Sequence, residues 1–297
     1  MFGFLVALGY NEGMRNVKWN LSIDKLEITY QATQQVRDAL AAIEDHKVIN
    51  EITVVRDKPL QYQNMFHLFG KDYNEEQGVF EREIGTLYFG SFNQNRQHIY
   101  INFDNSVLYD TYLLASRFYV EEALGLDFLR VSKIDLALDL NINVVRRINR
   151  IYRDEALSLV ILNKCYKSMD ETVNEVLHIA KGTRKAPMKF RSFYIENKNK
   201  SLTMRCYNKS EELKESHKDY IPNVSGKLPM YRLEVSLANH KTIAKTLAQL
   251  GVSNEEKVYS KLQSKDFLFS LFLTTLNRLI RVNKGRKGMN LLECLIA

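Results

Sequence analysis

Cysteine is scarce in this chain. Cys165, Cys206 and Cys294 are its only three; they lie far apart, and none belongs to a Cys-x-x-Cys pair or to a Cys/His cluster at zinc-finger spacing. That argues against a disulfide framework and a structural zinc, and makes reduced cytoplasm the default compartment. Proline and glycine are also few, four and thirteen in 297 residues, and no low-complexity linker or repeat of fixed period interrupts the pattern. Long apolar runs are missing as well. Residues 1–9 are apolar but too short to span a bilayer and lack a basic start, and Met14 stands just before a sharper onset of pattern, as if the first residues were an upstream extension. Segment 267–282 is interrupted by Asn277, Arg278 and Arg281, so it reads as an amphipathic helix and no membrane span is expected. No glycine-rich loop of the Walker type occurs, which argues against an NTPase or helicase.

What is present is basic charge on a chain able to form a core. Hydrophobic residues make up 45%, enough for one large core or two modest ones. The net charge is +7 and the pI about 9.1. An excess of that size suits a polyanion, of which nucleic acid is the usual one.

Strands and helices interleave without strict alternation. Strands are expected at 19–30, with a kink before Leu26 and Ile28, and at 131–141, 188–196, 202–208 and 230–237. Two more, 83–91 and 96–102, read as a hairpin around 92–95. Helices are expected at 32–45, 107–124, 240–250 and 254–281, the last broken near Ser264, and the lysine-rich stretch 164–185 reads as helix then loop. The mixture predicts an α+β fold with a largely antiparallel central sheet and flanking helices. Two regions are expected, 15–240 as the main domain and 241–297 as a C-terminal helical region.

The strand faces carry the chemistry. In Leu202–Lys209, Leu202, Met204 and Cys206 alternate with Thr203, Arg205, Tyr207 and Lys209, which sets a tyrosine between two cations. In 133–140, Asp135, Ala137 and Asp139 oppose Ile134, Leu136, Leu138 and Leu140. In 230–237, Arg232, Glu234 and Ser236 oppose Leu233, Val235 and Leu237. In 97–104, His98, Tyr100, Asn102 and Asp104 oppose Ile99, Ile101 and Phe103. Any one such face is ordinarily a solvated outer surface. A plain outer face would be richer in Thr, Lys, Gln and Ser; four faces bearing carboxylate, imidazole, phenol and guanidinium point to a shared functional surface.

That surface suits phosphoryl chemistry. A phenol with a reference pKa near 10 is a weak nucleophile, and adjacent cations with a divalent ion would favour its anion and neutralise an attacked phosphate. Carboxylate and imidazole ligands suit Mg²⁺ or Mn²⁺. Asp135 and Asp139 stand roughly 13 Å apart along the strand, so at most one of them binds a given ion. Attack on a DNA phosphodiester would leave a phosphotyrosine and a free 3′-hydroxyl, a nick that can be resealed.

Taken in order, Ser22-Ile-Asp-Lys-Leu-Glu-Ile-Thr29, Lys133-Ile-Asp-Leu-Ala-Leu-Asp139, Phe193-Tyr-Ile-Glu196, Arg205-x-Tyr-Asn-Lys-x-x-Glu212 and Arg232-Leu-Glu-Val235 resemble the plasmid rolling-circle replication initiators, the Rep_trans or replication initiation factor family. The resemblance covers about 20–240 in scattered short blocks. It implies a relaxase-like nicking domain with Tyr207 as the nicking tyrosine and Arg205 and Lys209 beside the phosphate. It also implies a cation held by Glu234 and one of Asp135 or Asp139, with Mg²⁺ or Mn²⁺ as cofactor. The family's His-hydrophobe-His motif is absent, and His98 is the one histidine offered in its place. Partners implied are an origin hairpin, single-stranded at the nick, a host helicase and polymerase, and a second copy in a homodimer. A mobilisation relaxase and a non-catalytic origin-binding protein stand beside this as alternatives.

Other residues carry less. Arg232 and the basic run with Lys181, Arg184 and Lys185 are candidate DNA contacts, as is the loop-like run 281–287. His46, His67, His178, His217 and His240 show no ligand spacing and read as surface or helix residues. Asp24 and Glu27 suit a metal site or a turn equally, Tyr220 reads as a loop residue, and Cys206 as core packing.

Overall fold

A computed structural model describes residues 17–58, 62–74, 78–90, 98–109, 113–162, 164–166, 177–181, 190–216, 221–222, 226, 229–253 and 256–296. Strand β1 (Trp19–Gln31) leads into helix α1 (Gln34–Ala41), where the Thr33 hydroxyl accepts from the Val36 amide as N-cap. Strands β2 (His46–Ile49), β3 (Ile52–Arg56), β4 (Asn64–Asn74), β5 (Gly78–Phe89) and β6 (His98–Phe103) follow. Helices α2 (Asn105–Leu108) and α3 (Leu113–Leu124) lead to β7 (Asp127–Leu140) and α4 (Val144–Arg153). Next come β8 (Leu157–Ile161), β9 (Lys164–Tyr166), β10 (Leu177–Lys181), β11 (Phe190–Glu196), β12 (Leu202–Asn208), α5 (Lys209–Ser216) and β13 (Tyr231–Leu237). The chain ends through α6 (His240–Ala248), α7 (Glu256–Lys261), α8 (Lys265–Leu279), β14 (Ile280–Lys284), β15 (Lys287–Asn290) and α9 (Leu291–Ile296). The architecture is α+β, as the element pattern predicts.

Two compact units form. The first holds residues 17–22, 135–252 and 260–296. Its strands run in the order β10-β11-β12-β13 and then the second half of β7, with β10, β11, β12 and β13 antiparallel in turn. A second sheet in the same unit runs β15-β14-β8-β9, every pair antiparallel. Helix α8 buries Leu268, Leu271, Phe272, Leu276 and Leu279 on one side, and α4 buries Val144, Val145, Ile148 and Ile151. From Ile134 to Leu140 every residue of β7 is buried, so the strand is covered on both faces.

The second unit holds residues 23–134 and 253–259. Its strands follow the order β1-β6-β5-β4-β3-β2, with antiparallel pairing from β1 through to β2. At Gly85, β5 leaves no room for a side chain beside β6: a Cβ there would run into the Asn102 carbonyl and the Phe103 backbone. The β4–β5 register slips beside it, between Leu68 and Phe69.

The sequence pattern and the structure part company in several places. The break at Ser264 is real, and its hydroxyl accepts from the Phe267 amide to start α8. The kink expected in β1 is a change of phase within a continuous strand: Leu21 and Ile23 are buried, then Leu26, Ile28 and Tyr30. The stretch 164–185, expected as helix then loop, contributes strands β9 and β10. The basic run 281–287 is a β-hairpin instead of a loop. Residues 241–297 also carry that hairpin and divide between the two units. No helix among the described residues is long and apolar enough to cross a membrane.

Candidate functional site

Antiparallel pairing assembles one polar surface from β11, β12, β13 and β7 of the first unit. Register sets Tyr194 opposite Arg205, Glu196 opposite Thr203, Arg205 opposite Glu234, Tyr207 opposite Arg232 and Thr203 opposite Ser236. Directly opposed residues of neighbouring strands share a face, so these side chains lie together. Across the next strand Arg232 donates to Asp139 and the Ser236 hydroxyl to Asp135. Phe193, Ile195, Leu202, Met204, Cys206, Leu233, Val235 and Leu237 point the other way, and all are buried. Burial pushes the Cys206 thiol up, consistent with a packing residue.

Tyr207 is the central group. It is half-buried near the end of β12, and its hydroxyl donates to Glu234 Oε2 at 3.4 Å. The Lys209 ammonium lies 5.9 Å from its ring centroid. Arg205, two residues back, is exposed, with its guanidinium 5.5 Å from the Tyr194 ring. Tyr194 donates to Glu196 Oε2 at 2.9 Å, and burial followed by that bond raises its phenol above the ordinary value.

Other expected residues take different places. Lys209 is only 2% exposed and pairs with Glu212 in the first turn of α5, so Arg205 is the accessible cation of the pair. Arg232, expected to contact DNA, is 0% exposed and donates from Nε and Nη2 to the two oxygens of Asp139, each at 2.7 Å. A guanidinium with no solvent exposure cannot meet a phosphate backbone, and that expectation is corrected. The backbone of Lys181 pairs with Phe190 on β10; its side chain, with Arg184, Lys185 and Tyr220, lies outside the described residues.

The expected cation ligands do not fit as a set. Both oxygens of Asp139 accept from Arg232, Asp135 accepts from Ser236, and Glu234 accepts from Tyr207. His98 opens β6 of the second unit, paired in register with Gln31. Among the described residues no three His, Cys, Asp or Glu side chains gather as a cation-holding group.

Several polar groups escaped sequence reading. Tyr194 and Glu196 extend the face; their alternation was legible, but only register brings them beside Arg205 and Thr203. In the second unit His67 lies between two carboxylates, with Nδ1 2.7 Å from Glu83 Oε1 and Nε2 3.2 Å from Asp57 Oδ2. The Glu83 hydrogen bond raises its imidazole; burial, the next largest effect, opposes this, and the Asp57 hydrogen bond adds to the rise. Asp24 accepts from Tyr109 at 2.6 Å and Glu27 from Tyr88, whose ring stacks on Tyr100 at 5.5 Å.

No family model matches the chain, and no curated protein matches it. Among solved structures, a rolling circle replication initiator protein from Geobacillus stearothermophilus is similar over 93% of this chain and 95% of its own. Identity is 10% and the TM-score 0.46, a likeness that assigns no residue a role.

Proposed function

We propose that this chain is a rolling-circle replication initiator, which binds DNA at an origin hairpin, cuts one strand with Tyr207 and later reseals it. The observation that supports this reading is the Tyr207–Glu234 contact with exposed Arg205 on the same face. A nucleophile, a proton acceptor and a phosphate-binding cation stand together, and a 3.4 Å separation is ordinary for a catalytic pair without substrate. Tyr207 Oη attacks the phosphorus of a DNA phosphodiester while the bond from phosphorus to the 3′ oxygen breaks. The phenolic proton passes to Glu234 and on to the departing oxygen. A 5′-phosphotyrosine and a free 3′-hydroxyl result, and the reverse attack reseals the strand. Arg205 offsets the charge that builds on the phosphate. The freed 3′ end then serves a host polymerase, behind a host helicase.

The test uses hairpins from the chain's own replicon, single-stranded and 3′-labelled, incubated with the protein in Mg²⁺, Mn²⁺ or EDTA and run on a denaturing gel. A labelled protein–DNA band that vanishes with Tyr207→Phe is the expected result. Hairpin binding with no covalent band in any arm would leave an origin-binding protein without nicking activity and defeat the proposal.

A further inference from the structure

The hairpin of β14 and β15 in the first unit closes on a turn that folding alone does not explain. Lys284 and Lys287 form its last directly opposed pair, with Gly285 and Arg286 between them. Gly285 has φ +59, as the first position of a two-residue turn of this kind requires, and only a residue without a side chain takes it freely. After such a glycine the second position favours Gly, Asn, Asp or Ser; here it is Arg286. Below the turn the hairpin is fixed. Ile280 and Val282 are buried, β14 pairs with β8 on its other side, and Leu291 and Leu292 are buried just after β15. Residues 284–287 are all exposed.

Three cations within four residues are poorly placed for the hairpin itself. Like charges directly opposite each other destabilise a strand pair, and Arg286 adds a third between Lys284 and Lys287. Among the described residues, none of these three side chains forms an ion pair or a hydrogen bond. Two acids, Asp154 and Glu155, stand just before β8, whose Leu157 is opposite Lys284. Asp154 accepts from the Ala156 amide at 2.9 Å, and neither acid pairs with the turn. An anchored turn with three cations that the chain does not neutralise calls for a polyanion with charge on two sides.

We infer that the 284–287 turn docks on the minor groove of duplex DNA, Arg286 entering the groove while Lys284 and Lys287 meet phosphates of the two flanking strands. Opposed residues of an antiparallel pair stand about 4.5–5.5 Å apart, and the minor groove is about 6 Å wide. The two lysines therefore straddle the groove while a single guanidinium inserts. Where A·T tracts narrow the groove its negative potential rises, and an inserted arginine gains most there. Lysine suits the flanking contacts as a point charge on a flexible stem, and those contacts are blind to sequence. The inference rests on the reading above only for the choice of DNA as the polyanion.

The test compares wild type with Arg286→Gln and with Lys284→Gln/Lys287→Gln, each checked for folding by circular dichroism. Binding of labelled A·T-tract and G·C duplexes is followed by fluorescence anisotropy across a salt series, with and without the minor-groove ligand netropsin. Wild type should bind the A·T tract more tightly, and netropsin should displace it. Arg286→Gln should lose that preference. The double lysine variant should keep it, while its slope of log affinity against log salt shrinks by roughly 2 through the loss of two phosphate contacts. An unchanged slope, binding indifferent to netropsin, or a preference that survives Arg286→Gln would each overturn the inference. So would wild-type binding to anionic phospholipid vesicles that is tighter than to duplex and lost in the variants. Covalent capture of a single-stranded hairpin by Tyr207, at saturating protein, should persist in both variants. If wild type forms no covalent adduct while the duplex results hold, the nicking proposal fails and the minor-groove contact stands.

Discussion

Arg232 and Asp139 meet across β13 and β7 in a two-pronged contact, Nε to Oδ1 and Nη2 to Oδ2, both at 2.7 Å and both residues 0% exposed. Arg232 is also the cross-strand neighbour of Tyr207. The pair thus anchors the interior side of the surface that carries the phenol, and both of its members have left the pool of groups available to DNA or a cation.

Removing one member strands a buried charge. Asp139→Ala should cost about 3–5 kcal/mol of stability, read as a lowered urea midpoint. Replacing both members together, Asp139→Leu with Arg232→Met, should cost markedly less than the sum of the single changes. A double mutant as unstable as that sum would show that the two charges do not act as a pair.

Glu234→Gln keeps the size of the side chain and removes its basicity. Covalent capture of a single-stranded hairpin should slow by about 10²–10⁴-fold, the range for loss of a general base. Hairpin binding should change little. Capture at the wild-type rate would take Glu234 out of the proton path.

His67 ties the second unit to acid–base conditions. Its imidazole is raised in the folded state by Glu83 and Asp57, so folding favours the protonated ring. That stabilisation is complete below the ordinary histidine value of about 6.5 and is lost as pH rises through the higher folded value. Urea midpoints measured from mildly acid to mildly alkaline pH should fall across that window, and His67→Gln should flatten the fall. Both side chains of each pair are partly exposed, so added salt should shrink the effect.

Gly85→Ala would place a methyl group against the backbone of β6 at Asn102 and Phe103. The atoms it would meet are backbone, with no flexible side chain to yield, and a loss of about 1–3 kcal/mol is expected. An unchanged thermal midpoint would mean that the strands can part there without cost.

Periodicity alone determined much of this protein. Alternation in 202–208, 230–237 and 133–140 told which side chains share a strand face, because neighbouring residues of a strand must point to opposite sides. It sorted Cys206 into the core and Tyr207 out of it. It also placed a break near Ser264, and the structure makes that serine the N-cap of the helix that follows, its hydroxyl accepting from the amide three residues on. Alternation says nothing of which strands become neighbours or in what register. Only pairing set Arg205 against Glu234 and Tyr194, and only packing closed over Arg232 and gave it Asp139. Arg205 and Arg232 look alike in the sequence, each an arginine on the polar side of a strand. One ends exposed and the other fully buried, because β12 lies nearer the edge of its sheet while β13 adjoins β7, which is covered on both faces.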